Sequence, residues 1–220
     1  MFSPKDLLVD TKSSINKTIM NFLSIDCSTD IGSLFVKAKS KTFSKILQSD
    51  KHNNDLLMKQ ILDFFMENNL NFDDIERIFV NQGPGNFSGL RGSLAIAKGI
   101  SLSKNIDLSG YDTFIWPCTK FLNKKESIHS IIKIRDKYFM KIFNKNLSST
   151  SKIEEISIEE ILKNYHKVFK VISKSRKKKF DEKILELDNL NIVDLDHNDL
   201  ESLQFKGLLD ENLIKPIYLS

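Results

Sequence analysis

The chain has 220 residues, of which 40% are hydrophobic and 28% charged, with a net charge of +4. That balance fits a folded chain long enough for a substantial core, as one large domain or two small lobes, and argues against a fibrous or low-complexity protein. No run approaches the roughly 18 apolar residues of a membrane span, and the first twenty residues hold no apolar stretch of a secretory signal. Only four of the 33 basic residues are arginine, namely Arg77, Arg91, Arg135 and Arg176. So lysine-heavy a mix reads as compositional bias, and the basic balance is weak evidence for an RNA partner. Cys27 and Cys118 lie far apart and form no C-x-x-C pair, which suits a reduced, cytoplasmic protein.

Residues 1–19 are polar and without period, so a disordered extension is expected there; "MNFLSIDCSTD" from Met20 reads like a natural start. "NFLSID" is a short apolar strand, "CSTDIG" is turn chemistry, and "SLFVKAK" returns as a second strand, giving a hairpin over 22–39. A helix follows over about 54–69, capped by Asn53 or Asn54, with Leu57, Ile61, Phe64 and Phe65 as its apolar stripe. After a turn at Asp73–Asp74, "RIFVNQ" is a buried strand. "GPGNFSG" comes next, and Leu90, Leu94 and Ala97 carry a helix to about Ser101. "NIDLSGYD" then leads a strand into a helix that Asp112 caps and Pro117 shortens.

In the second half, "SIHSIIKI" and "YFMKIFN" form a hairpin around Arg135–Asp136–Lys137. "SIEE" at 157–160 is a capping box, "KVFKVIS" a strand, and 174–199 loop-rich with a short strand at Leu190–Val193. A last helix covers about 199–209, and no repeat of 20–50 residues is visible. Hairpins followed by alternating strands and helices point to an α/β protein with mixed sheets.

Residues 81–101 hold five of the eight glycines: Gly83, Gly85, Gly89, Gly92 and Gly99. A glycine loop between a strand and a helix is where a phosphate would sit. The letters disagree, because there is no G-K-[ST] and G-x-G-x-x-G fails at Ser88. Small residues along the helix instead suggest a surface that another element approaches closely, compensating the ~1 kcal/mol that each helical glycine costs. "GNFSG" misses the G-x-S-x-G elbow by one residue. The histidines form no H-x-x-x-H or H-E-x-x-H, and the EF-hand-like start at Asp194, Asp196 and Asn198 lacks its glycine and glutamate. Asp26 at a strand end would suit a nucleotide–magnesium site, though such residues are usually turn chemistry. The basic run Lys174–Lys179 is read as a solvated loop in preference to a tRNA contact, since no aromatic interleaves it.

"FLSIDCSTD", "KHNNDLL", "VNQGPGNFSGLRGSLAIAKGIS", "GYDTF" and "KPIYLS", in that order, resemble the TsaB (YeaZ) or Gcp-like family. Gly83, Pro84, Gly85, Phe87, Ser88, Gly89 and Arg91 fill its G-P-G-x-[FY]-[ST]-G-x-R core. The resemblance implies an actin-like (ASKHA) fold, with an N-terminal lobe over 20–106 and a shortened C-terminal lobe over 107–220. It implies a non-catalytic subunit, in the cytoplasm, of the complex that threonylcarbamoylates the adenosine beside the tRNA anticodon. The implied partners are a TsaD-like catalytic subunit and a TsaE-like ATPase, with tRNA met through the complex and a homodimer as an alternative use of the same surface. No catalytic, cofactor or metal residues are expected, weak ATP–magnesium binding being left open; His52 is followed four residues later by Leu56 rather than a second ligand. The expected interface joins the loop residues above with Gly92, Ala95 and Gly99, beside the 54–69 helix. The rival expectations are an actin-like phosphotransferase and a glycoprotease-like metallopeptidase.

Overall fold

A computed structural model of the chain describes residues 20–47 and 56–219. The expected N-terminal extension, His52 and the caps at Asn53 or Asn54 lie outside these residues. The first sheet begins with β1 (Phe22–Asp26), every residue of which is buried. β2 (Gly32–Ala38) runs antiparallel beside it, with Phe22 opposite Lys37 and Asp26 opposite Ser33. β3 (Lys41–Leu47) folds back on β2 through Lys39 and Ser40, at φ of 52° and 60°. Two positive φ angles in a two-residue connection match the right-handed twist of the flanking strands. β4 (Arg77–Gly83) lies parallel on the other side of β1, and β5 (Asp107–Asp112) parallel to β4. Between these strands run α1 (Leu56–Glu67) and α2 (Phe87–Lys104).

The two faces of this sheet serve different cores. Leu23, Ile25, Ile78 and Val80 pack with Ile61, Phe64 and Phe65 of α1 and Leu94 and Ala97 of α2. Phe22, Phe35, Phe79 and Tyr111 on the opposite face join Trp116, Ile128, Phe139 and Val171 of the second half. A sheet covered on both faces explains why "FLSID" and "RIFV" read as apolar runs rather than alternations.

The second sheet holds β6 (Ser127–Ile134), β7 (Lys137–Asn144), β8 (Glu154–Ile156), β9 (Lys170–Ser173) and β10 (Leu190–Val193). β7 is antiparallel to β6 and to β8, whereas β9 is parallel to both β6 and β10. Its order, β8-β7-β6-β9-β10, reproduces the β3-β2-β1-β4-β5 of the first sheet. α4 (Ile158–Lys163) and α5 (Glu182–Leu185) occupy the places of α1 and α2. They have six and four residues against 12 and 18, so the second lobe is the shorter version. The fold is thus a duplicated, actin-like α/β architecture of two mixed sheets flanked by helices, with no trace of the duplication in the residue pattern. α3 (Ile115–Cys118) links the halves, and α6 (Asp199–Phe205) packs Leu200 and Leu203 into the shared core.

The division expected at 106/107 falls between α2 and β5. Because β5 hydrogen-bonds to β4 as the fifth strand of the first sheet, that sheet extends to Asp112. The chain's last stretch also returns to it: Gly110 bridges Asp210, and Ile217 N donates to Gln82 O at 2.8 Å.

Candidate functional site

The glycine loop connects β4 to α2 at the edge of the interlobe cleft. Asn86 caps α2 by accepting from Gly89 N at 3.1 Å, and its own amide donates to Ser28 O at 2.9 Å. A Cβ on Gly85 would stand 2.2 Å from Ser28 O, and one on Gly89 2.4 Å from Cys27 O. Both glycines therefore exist because the loop lies directly against the backbone of the β1–β2 turn. Gly83 has φ +97°, a conformation that side chains disfavour. Gly83 and Pro84 are buried, whereas Phe87, Ser88 and Arg91 are exposed.

The close approach anticipated for the glycine-rich segment is consequently, at its first half, an approach within the molecule. Along α2 the small residues divide. Ser93 and Ala97 face the core with Leu90, Leu94 and Ile100, so Ala97 offers nothing to a partner. Ala95 and Gly99 face outward, and a Cβ on Gly99 would meet no atom within 4 Å. Gly92 is half-buried between these faces. On the same side of the lobe α1 exposes Leu62 and Met66, and α2 exposes Leu102, which is 85% accessible.

The run Lys174–Lys179 forms a 3-10 helix rather than an irregular solvated loop, and Arg176 turns inward with 3% exposure. Its Nη2 donates to Ser28 O and Ser28 Oγ, both at 3.1 Å, reaching from the second lobe to the β1–β2 turn of the first. Burial lowers its pKa, opposed by the charges of Asp26 and Asp30. Lys179 spans the same gap to Asp30 at 3.0 Å. Asp26 is tied down by Ser28 N at 2.9 Å and Asn81 Nδ2 at 3.1 Å, and Asn81 Oδ1 accepts from Gly83 N and Thr113 Oγ1. It thus closes the β1–β2 turn and joins it to the end of β4.

The EF-hand-like fragment is a turn. Asp194 pairs with Lys174 and Asp196 accepts from the Asn198 amide. His197 within it is a packing residue missed in the sequence. It stacks on Phe35 at 5.1 Å, meets Trp116 edge-on at 4.8 Å, and its Nδ1 lies 2.8 Å from Ser24 Oγ. Burial pushes its pKa down to about 4, Asp26 and Asp196 pulling the other way. Its neighbours Phe35 and Trp116 are distant in sequence, so no local pattern announces it. Arg176 carried a faint signal, being the one arginine in a lysine run.

Residues 45–126 match the family model for TsaD, tRNA N6-adenosine threonylcarbamoyltransferase. Two curated proteins of Buchnera aphidicola are similar to this chain, each a "tRNA threonylcarbamoyladenosine biosynthesis protein TsaB". One, from the subspecies Baizongia pistaciae, is 34% identical over 92 residues; the other, from Schizaphis graminum, is 31% identical over 91. Each match takes in 41% of this chain, and 39% and 43% of those proteins respectively, so it spans about two-fifths of the relatives. In structure, a Pseudomonas aeruginosa protein similar to YeaZ superposes with a TM-score of 0.68 at 15% identity, covering 92% of this chain and all of that one. The chain is similar to TsaB/YeaZ proteins. P. aeruginosa YeaZ itself gives a TM-score of 0.67 at 14% identity over 91% of the chain and all of YeaZ, a likeness of fold. Among the described residues of this TsaB-like chain, no helix is long and apolar enough to cross a membrane.

Proposed function

We propose that this chain is a non-catalytic, cytoplasmic subunit of the system that forms threonylcarbamoyladenosine in tRNA. Its role is to pair with a TsaD-like catalytic subunit through the outward faces of α1 and α2, a TsaE-like ATPase joining the assembly. The observation that carries the pairing is the open strip along α2. Ala95 and Gly99 are exposed there, nothing stands within 4 Å of a Cβ at Gly99, and Leu62, Met66 and Leu102 expose apolar side chains on the same side. A partner helix settling on that strip would cover these side chains and offset the cost of a glycine inside α2. A second copy of the chain using the same strip is the competing arrangement.

Gly99→Arg tests the pairing. The site is open, so the variant should fold with an unchanged circular dichroism spectrum and lose co-purification with the TsaD-like subunit. Retained association overturns the assignment of this face. Modification of tRNA by the purified chain with no partner present would overturn the non-catalytic role.

A further inference from the structure

We infer that the outward face of α2 selects an acidic partner over a second copy of this chain. The surface it fits sets two carboxylates about 10 Å apart beside an apolar strip. The inference rests on the pairing proposed above and says what chemistry the partner must carry.

α2 holds no acidic residue among its 18, and three cations, Arg91, Lys98 and Lys104. Lys104 pairs with Asp73 at 3.5 Å. Arg91 and Lys98 are exposed and take part in none of the ion pairs among the described residues. Seven residues separate them, two turns of helix, so they stand on one side of α2 about 10 Å from each other.

The carboxylates nearby are already engaged. On α1, Asp63 holds Lys59 at 2.6 Å and Glu67 holds Lys45 at 2.9 Å. Lys98 lines a groove of about 540 Å³ between α2 and residues 211–214, and the acids there, Asp107 and Glu211, both bind Arg77 at 2.8 Å. Arg91 rests over the Phe87 ring at 5.2 Å, a contact that orients the guanidinium without neutralising it. Beside these cations lies apolar surface: Leu102, one turn beyond Lys98, and Leu213 across the groove are exposed, as are Leu62 and Met66 of α1. An apolar centre with charges at its rim is the anatomy of a protein interface, and the rim charges choose among partners.

A second copy does not meet that requirement. An isologous dimer through this face brings four unpaired cations into one interface and supplies no free carboxylate from α1 or α2 among the described residues. In open solvent, charges about 10 Å apart are largely screened at physiological salt, but a partner that displaces water from the strip removes much of that screening. An acidic surface gives each cation a counter-charge instead.

The test uses the purified full chain and the TsaD-like subunit, with sedimentation velocity for self-association and titration calorimetry at low and high salt for pairing. The chain alone should stay monomeric at about 100 μM, and pairing should weaken as salt rises. Arg91→Gln with Lys98→Gln should weaken pairing about tenfold and flatten its salt dependence. Arg91→Lys with Lys98→Arg keeps both charges and should keep both affinity and salt dependence. Arg91→Glu with Lys98→Glu should weaken pairing by about a hundredfold or more. A stable self-dimer of the wild-type chain overturns the inference, as does a glutamine variant that pairs as tightly as wild type with the same salt dependence. Gly99→Arg separates this from the parent reading. If it loses pairing while the glutamine variant keeps it, the face is right and the charge selection wrong. If both variants pair normally, or the wild-type chain does not pair at all, the face itself is wrong and the inference falls with it.

Discussion

Replacing a glycine of α2 by alanine should act in opposite directions at its two ends. At Gly89 the new Cβ would stand 2.4 Å from Cys27 O, where ordinary contact begins at 3.4 Å. About 1 Å must therefore open against a backbone carbonyl that has no rotamer to change. Overpacking of that kind costs about 1–3 kcal/mol, and a contact with main chain belongs at the upper end. Helix propensity returns up to ~1 kcal/mol, which leaves Gly89→Ala less stable by about 2 kcal/mol. At Gly99 nothing lies within 4 Å, so the propensity gain stands alone and Gly99→Ala should be more stable by up to ~1 kcal/mol. For a chain of 220 residues each kcal/mol moves Tm by roughly 2–4 °C, so the two variants should melt about 6–12 °C apart. Urea unfolding followed by Trp116, which is 2% exposed and the only tryptophan, reads the same difference. Shifts of the same sign at both positions would refute the division of α2 into a face held by the molecule's own turn and a face left open.

Three further outcomes are expected. His197 has a folded pKa near 4, below its unfolded value near 6.5, so the unfolded chain takes up the extra proton as pH falls. Its contribution is intact above about pH 6.5 and is lost toward pH 4, by at most ~3 kcal/mol; His197→Asn should flatten that part of the stability profile. Lys170 is fully buried and donates to the carbonyls of Tyr165, His166 and Val168 at 2.6, 3.1 and 2.8 Å. Lys170→Met leaves three acceptors in the turn between α4 and β9 unmet and should lower stability by about 2–3 kcal/mol in denaturant titration, and an unchanged midpoint would contradict this role. Asp112 and Lys141 pair at 2.5 Å between β5 of one sheet and β7 of the other, while Asp112 also accepts from the Phe114 and Ile115 amides. Asp112→Asn keeps an acceptor for those amides and removes the charge, so a loss of about 2 kcal/mol that Lys141→Met largely suppresses is expected in a double-mutant cycle.

Where local chemistry decides an element, the residues announced it. β1, β4 and the β6–β7 hairpin are apolar runs bounded by turns, and the capping box at Ser157 and Glu160 forms as written, with Glu160 N donating to Ser157 Oγ at 3.1 Å. β3 escaped notice because its turn is Lys39–Ser40, two residues that give no sign of accepting positive φ. β8 has three residues, and α5 four, too short for a period to show. The site was legible as a glycine loop ahead of a helix, but not its reason. Gly85 and Gly89 answer to the backbone of Ser28 and Cys27, on a different strand, and Arg176 to the same turn from the other lobe. Contacts of that range leave no mark in any window of sequence. The duplication is equally silent, since two sheets can share a strand order while sharing only hydrophobicity.

The return of residues 210–217 to the first sheet has a consequence for biogenesis. The half synthesised first leans on the segment synthesised late, through the Gly110–Asp210 bridge and the Gln82–Ile217 hydrogen bond. On the ribosome, the early half must therefore wait with the flank of β5 unprotected until residues 210–217 have emerged. Cuts or fusions that disturb this later segment would be felt in the first sheet, a hundred residues or more earlier in the chain.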